Sequence, residues 1–451
     1  MKERPFFGVD DRIGLLTSFL GGVQHVLAMF VGIVTPPLIV GGAIGLDTAA
    51  TAFLVSMSLF ASGLTTFIQV RRMGPLGSGL LSVQGTSFTF VNLSIQAGCS
   101  GGLPLIFGMT LVAAPVEMIL SRFIHFARRL FPPIVTGSVV MLIGISLIKV
   151  GISDLAGGYG APDFGSFPNL ALGFGVMAVI VVLNRFASGF VSSVSIALGI
   201  VIGYLAAAIL GMVDFSPLGS AGWLVVPRPL KYGLSFDFRY LIPWVIGYFI
   251  TTIESIGDLS ASSYVSRQPV EGPVFIRRLE GGILADGVGS FLAGLLNSMP
   301  NTTFSQNNGV IGLTGVASRR VGYAVSALLV LLGLFPRLAT LITVMPKPVL
   351  GGATVIMFAM VAVAGLRIVY ADGIDPRQEF ILAVTLAVGL GVTMVPDLFA
   401  SLDKVACSSP LLNVGLSSLS AILQSGLASG AIAATLLNLI LPAGRKGKPA
   451  D

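Results

Sequence analysis

Apolar residues recur along this chain in blocks about as long as a bilayer-spanning helix, separated by short polar breaks. A crossing needs roughly 20 predominantly apolar residues. Stretches near that length lie at about 13–40, 48–70, 104–121, 131–150, 169–184, 190–212, 240–258, 281–297, 321–344, 349–366, 379–396 and 413–442. Two further segments, around 78–96 and 302–317, are weaker because Gly, Ser, Thr, Gln and Asn interrupt the run. They occupy matching places: Ser82-Val83-Gln84-Gly85-Thr86-Ser87-Phe88-Thr89 is the third element of the first half, Thr302-Thr303-Phe304-Ser305-Gln306-Asn307-Asn308-Gly309 the third of the second. Seven elements precede the long loop near 213–236 and seven follow it, and an odd number per half inverts the halves relative to each other. A matched pair of glycine-interrupted segments in inverted repeats points to a substrate site near the bilayer midplane. Two polar hairpins that merely pack as re-entrant elements are the alternative.

Composition removes the soluble classes. The 451 residues are 54% hydrophobic and 10% charged, against roughly 25% charged in soluble domains. The first apolar block is too long for a signal-peptide core, contains Gln24 and His25, and lacks a small-residue cleavage pattern, so it reads as a true first span. With a cytoplasmic N-terminus and both weak segments embedded, the inner loops receive 19 of the 26 Lys and Arg; the outer set is Lys149, Arg228, Lys231, Arg239, Arg337, Lys347 and Lys404. That bias fits about fourteen crossings with both termini inside. The net charge of +6 is dispersed over short loops, so it reads as topology and not as affinity for nucleic acid. Cys99 and Cys407 have no CxxC or metal-like spacing, which suggests two unpaired thiols and no metal site.

Four acidic residues fall inside apolar segments: Glu117, Glu254, Asp258 and Asp286. Carboxylates at membrane depth are costly and are functional candidates by default. Glu254 and Asp258 are spaced i,i+4 and share a helix face, which must look into protein or water. A desolvated carboxylate favours its neutral form, which suits a group that gains and loses a proton within a transport cycle; when charged it accepts hydrogen bonds from a ligand N–H. Asp258 and Asp286 can equally be anchors between helices. Glu117, in Ala114-Pro115-Val116-Glu117, reads as a packing or interfacial residue, and Lys149 and Glu379 at span ends as snorkelling side chains. His25, beside Gln24, is a satisfied interhelical donor or a proton carrier.

The run Gln306-Asn307-Asn308-Gly309-Val310-Ile311-Gly312-Leu313-Thr314-Gly315 resembles the signature of the nucleobase-ascorbate transporters, with a Thr five positions after the Gly. Gln24-His25 resembles the family's first-helix motif, and Glu254, Asp258 and Asp286 stand at its spacing upstream of the signature. The flanks Ser78-Gly79-Leu80-Leu81-Ser82-Val83-Gln84 and Thr314-Gly315-Val316-Ala317-Ser318-Arg319 look like the bacterial xanthine and urate permease branch.

The resemblance implies an all-α polytopic membrane protein of about fourteen segments in two inverted seven-segment repeats, with short β-strands in segments 3 and 10. It implies a core domain (1–130 and 236–344) and a gate domain (131–235 and 345–451), a homodimer joined through the gates, and elevator-type motion of the core. It further implies a proton-coupled symporter for purine nucleobases (xanthine, urate or both) in the bacterial inner membrane, with no cofactor beyond the co-transported proton. Carried over by residue, Glu254 and Gln306 hold the base, Phe88 and Ser87 border it, Asn307, Gly309 and Asp286 support the site, and Glu254, Asp258, Asp286, His25 and Gln24 serve coupling. The chemistry agrees: a xanthine edge alternates N–H and C=O, Glu254 accepts, the Gln306 amide donates and accepts, and Phe88 can stack on a flat ring. The uracil branch tends to carry Glu where this chain has Gln306, which favours a purine. Gly315, where the fungal purine pattern has a basic residue, leaves the substrate spectrum open, and a uracil or broad-specificity nucleobase symporter is the alternative. An intramembrane acid–base enzyme lacks its nucleophile or metal motif here, and a channel would want rings of repeated filter residues.

Overall fold

The computed structural model describes residues 6–124, 132–158, 160–370, 373–395, 398–399, 419–420 and 423–442. The expected cytoplasmic residues Lys2, Arg4, Arg128, Arg129, Arg445, Lys446 and Lys448, as well as Cys407, lie outside the described residues.

The chain is a stack of helices: α1 Leu15–Ala43, α2 Thr48–Arg71, α3 Val91–Leu120, α4 Pro133–Leu155, α5 Phe167–Phe186, α6 Ser195–Ile209, α7 Phe238–Val265, α8 Gly272–Leu295, α9 Gln306–Thr314, α10 Arg319–Leu334, α11 Pro336–Thr343, α12 Lys347–Tyr370, α13 Pro376–Met394 and α14 Gly426–Ile440. Two short strands, β1 Gln84–Thr86 and β2 Asn301–Thr303, precede α3 and α9. Among the described residues, eight helices are long and apolar enough to cross a membrane, nine with the bent α10–α11 pair. The protein is a multi-pass membrane protein.

Several expected spans are broken, each for a local reason. In α3, Gly101 and Gly102 leave helical geometry, with Gly102 at φ +66°, so two helical pieces meet there. Between α10 and α11 the axis turns by 77° at Phe335-Pro336, because proline disfavours helix in the residue before it and donates no N–H. The expected 413–442 span is described only in part, as α14 and the few residues before it.

Starts and crossings follow from side-chain chemistry. Asp47 caps α2 by accepting from Ala50 N at 2.6 Å, and Asp375 with Gln378 forms a reciprocal capping box on α13. Where α4 crosses α12, a Cβ on Gly144 would lie 2.4 Å from the Ala362 nitrogen, and one on Gly365 would lie 2.4 Å from that of Met141. Missing side chains thus let the backbones approach, as small residues do in lipid, where no hydrophobic force draws helices together.

The strands sit deepest. β1 and β2 pair antiparallel, Gln84 opposite Thr303 and Thr86 opposite Asn301. Their outer polar groups are taken by α2: Gln84 N donates to Thr66 Oγ1 at 3.0 Å and Asn301 Nδ2 to Thr65 Oγ1 at 3.1 Å. Pro37 in α1 has no N–H, which frees the Ile33 carbonyl four residues back; the Thr86 hydroxyl donates to that oxygen at 2.5 Å. Non-helical backbone at this depth is thereby satisfied within the protein. A Cβ on Gly85 would lie 2.6 Å from the Phe304 ring and 2.8 Å from Ile33, so only glycine fits.

The segment 213–236 runs across helix ends: Val225 N donates to Leu334 O, Leu230 N to Leu295 O and Ser235 N to Pro104 O, all at 2.9–3.0 Å. Three of the seven basic residues expected outside are held nearby. Lys231 lies 3.8 Å above the Phe53 ring, Arg337 3.8 Å above Trp223, and Arg239 pairs with Asp237 at 2.5 Å. Lys149 and Glu379 are exposed.

Candidate functional site

Helix α7 presents Thr251, Glu254, Ser255, Asp258 and Ser262 at spacings of three and four, one stripe that faces α3, α8 and the strand pair. The stripe is bonded at nearly every position. Thr251 Oγ1 donates to Glu117 of α3 at 3.1 Å. Ser255 donates to Asp286 of α8 and lies 3.3 Å from the Thr303 hydroxyl of β2. Thr303 donates to Asp258 at 3.0 Å. Ser262 donates to Asn308 Oδ1 at 2.5 Å, and Asn308 Nδ2 donates to the Asp258 carbonyl at 3.2 Å. These last bonds fix the first turn of α9, and with it Gln306, against α7.

Glu254 differs from its neighbours. It is half-buried, its Oε2 is buried without a hydrogen-bond partner, and no described residue donates to it, whereas Glu117 and Asp286 each leave one oxygen unbonded but accept through the other. Asp286 Oδ1, both polar atoms of the Gln84 amide, Ser87 Oγ and Thr302 Oγ1 are likewise buried without partners of hydrogen-bond geometry. Gln84 lies beside Asp286. Native proteins leave few such groups, and these lie in or beside the strand pair.

The other expected residues distribute as follows. Asn307 is fully buried and donates to Leu81 O at 2.5 Å, and His25 lies against its side chain. Gln24 and His25 together line a cavity of about 470 Å³ with Thr17, Leu20, Gly21, Thr314, Val316 and Val321. That cavity runs beside α9 and does not touch Glu254. Phe88, half-buried just after β1, meets Phe358 of α12 edge to face at 5.2 Å and 88°. It packs on a cluster containing Ile250, one turn before Glu254. Ser87 is buried and anchored by its N–H to Pro300 O at 2.8 Å. Gly309 is exposed, and a Cβ there would meet nothing within 4 Å. Gly315 takes φ +71° and ends α9; a side chain there would be strained.

Glu117, expected as a packing or interfacial residue, is not interfacial. It is fully buried and lies within electrostatic range of Asp286 and Glu254, as Glu254 does of Asp258 and Asp286. The site therefore holds four carboxylates. The ion pairs of the described residues, Arg239–Asp237 and Arg319–Asp10, lie elsewhere. Sequence offered only the rule that an intramembrane carboxylate is functional by default; what was missing was that α3 packs on α8. Among the described residues no group of three or more His, Cys, Asp or Glu is arranged to hold a metal ion.

Such an arrangement offers acceptors to a small polar ligand, and known proteins with similar sequences are permeases. The model of a permease family matches residues 16–398. The xanthine permease XanP of Escherichia coli (strain K12) is 43% identical over 450 residues, covering 97% of this chain and 94% of XanP. The xanthine permease XanQ of the same strain is 41% identical over 452 residues, with the same coverages of 97% and 94%. In fold, the transmembrane domain of the cyanobacterial bicarbonate transporter BicA is similar, with a TM-score of 0.54 at 15% identity over 95% of this chain and 99% of that one. A match over most of the chain, together with relatives this similar over nearly their whole length, makes this protein a member of the permease family that comprises the nucleobase-ascorbate transporters.

Proposed function

We propose that this protein imports purine nucleobases, xanthine, urate or both, across the bacterial inner membrane as a proton-coupled symporter. The observation that carries the reading is Glu254: a carboxylate at membrane depth with an oxygen left unbonded, beside a helix that presents Gln306 and a strand that leads to Phe88. Acceptor, amide and aromatic ring are the three groups a flat base with alternating N–H and C=O requires. The near full-length similarity to two xanthine permeases supports a purine.

Fourteen crossings result if β1 with the first piece of α3, the second piece of α3, β2 with α9, the bent α10–α11 pair, and each of α1, α2, α4 to α8 and α12 to α14 count as one. The antiparallel meeting of β1 with β2 supports two inverted halves. The close packing of α4 on α12, at some distance in sequence from the strand pair, supports a gate (131–235 and 345–451) beside a core (1–130 and 236–344). Elevator motion and a homodimer joined through the gates follow from the family resemblance.

The test is uptake of labelled xanthine by the purified full-length protein in proteoliposomes. An inward proton gradient should drive accumulation without sodium, a protonophore should abolish it, and unlabelled xanthine or urate should compete. Absence of saturable xanthine or urate uptake while labelled uracil accumulates overturns the purine assignment, and sodium dependence with no response to a protonophore overturns the coupling.

Orientation has its own check. Gly158, an obvious position in the segment between α4 and α5, is buried at φ +96° with Lys347 side-chain atoms 2.5 Å from a built Cβ, so a cysteine there would be strained and shielded. Pro162 is exposed. With Cys99 and Cys407 replaced, Pro162→Cys should react with an impermeant maleimide from outside intact cells. Reaction only after permeabilisation would break the fourteen-crossing topology.

A further inference from the structure

The chain Asp286, Ser255, Thr303, Asp258 has more contacts than hydrogens. Ser255 touches Asp286 on one side and Thr303 on the other, and Thr303 touches Asp258. Those are three hydrogen-bond contacts between four side chains. A hydroxyl supplies one hydrogen and an ionised carboxylate supplies none, so two hydroxyls fill two contacts and leave the third empty. If both aspartates are ionised and each is served by its hydroxyl, the Ser255 and Thr303 oxygens face each other at 3.3 Å with no hydrogen between them. One proton on either aspartate completes the row. With it on Asp286, every bond points toward Asp258; with it on Asp258, every bond points back.

All four side chains are fully or almost fully buried, Asp286 and Ser255 at 0%, Thr303 at 1% and Asp258 at 5% exposure, so bulk water does not compete for these contacts. The other titratable groups facing the row are Glu117 from α3 and Glu254 from α7, both acidic. Asp286 sits on α8, Ser255 and Asp258 on α7, and Thr303 on β2. The row thus spans three elements and ends one turn from Glu254.

We propose that Ser255 and Thr303 form a proton relay between Asp286 and Asp258. This rests on the coupling reading above and assigns its proton a path. In one passage the Asp286 proton moves to the Ser255 oxygen, the Ser255 hydrogen to Thr303, and the Thr303 hydrogen to the Asp258 carboxylate. Both hydroxyls are restored with their bonds reversed, Asp286 is left ionised, Asp258 is neutral, and one proton has moved. The two hydroxyls are positioning residues for the coupling ion and need not touch the purine.

Thr303→Val keeps the shape and the β-branched strand residue but removes the hydroxyl; Thr303→Ser keeps the hydroxyl. Counterflow, in which labelled xanthine exchanges for unlabelled across the membrane, requires no net proton transfer. Accumulation driven by a proton gradient does. In proteoliposomes Thr303→Val should hold counterflow within about threefold of wild type while gradient-driven accumulation and xanthine-induced proton uptake fall about tenfold or more. Thr303→Ser should restore both. Equal loss of counterflow and accumulation in Thr303→Val, or failure of Thr303→Ser to restore them, would make the role structural and overturn the relay. Accumulation by Thr303→Val at the wild-type level would overturn it too. A wild-type protein whose accumulation ignores the proton gradient overturns the coupling reading itself, an outcome seen before any variant is made.

Discussion

Replacing Glu254 with glutamine should abolish both counterflow and accumulation of labelled xanthine, whereas Asp258→Asn should only weaken counterflow. Glu254 Oε2 has no hydrogen-bond partner inside the protein, so its acceptor capacity is free for a ligand N–H. A hydrogen bond to a charged group contributes up to about 3 kcal/mol, which corresponds to about a 100-fold loss of affinity when it goes. Glutamine also cannot take up a proton, so coupling disappears with binding. Asp258 is placed differently. Its carboxylate accepts from Thr303 and its carbonyl from Asn308, and an asparagine oxygen can still accept the Thr303 hydrogen. The anchor therefore survives, so counterflow should fall about tenfold or less, while gradient-driven accumulation, which needs a proton on residue 258, should fall about tenfold or more. Uptake rates at matched surface expression measure both. Uphill accumulation retained by Glu254→Gln, or Asp258→Asn proving the more damaging of the two, would remove Glu254 from the centre of the site.

Gln306→Glu should be nearly as harmful to purine uptake and harmless to folding. Position 306 is the first residue of α9, where the partial positive charge of the helix N-terminus stabilises an acid by about 0.3–1 kcal/mol, so expression should hold. The amide, however, both donates and accepts, and a carboxylate only accepts. A purine carbonyl that met the amide N–H would face a like dipole. The new acid would also stand in the turn of α9 that Asn308 bonds to the Asp258 carbonyl, and like charges in a poorly solvated site oppose one another. Xanthine uptake should fall about 100-fold, with thermal stability in detergent unchanged. Wild-type affinity for xanthine in this variant would show that residue 306 does not meet the base.

The apolar blocks announced most helices because a bilayer forces every span to satisfy its own backbone, and that demand is local. The two interrupted segments were conspicuous for the same reason: Gly, Ser and Thr at that depth need a neighbour to satisfy them. Which neighbour was not legible. That Thr86 bonds the carbonyl freed by Pro37, 53 residues earlier in sequence, or that Asn301 reaches Thr65 across 236 positions, depends on how α1 and α2 lie against the strands.

The candidate site divides in the same way. Glu254 and Asp258 shared a face by helical spacing alone, and the Gln306–Gly315 signature carried the family. Glu117 read as packing because its significance comes from α8, which brings Asp286 beside it, and no pattern within α3 contains that fact. Thr251, Ser255 and Thr303 were unremarkable residues until three elements converged on them.

What this chain determined by itself is therefore its solvent and its chemistry: a bilayer, because 54% of its residues are hydrophobic in span-length blocks, and a polar site, because acids and amides persist inside those blocks. Only the tertiary structure decided which acids are anchored and which is free. Hydrogen bonds between distant segments are set by helix packing, and packing in lipid is governed by shape and by the positions of small residues rather than by any hydrophobic pattern.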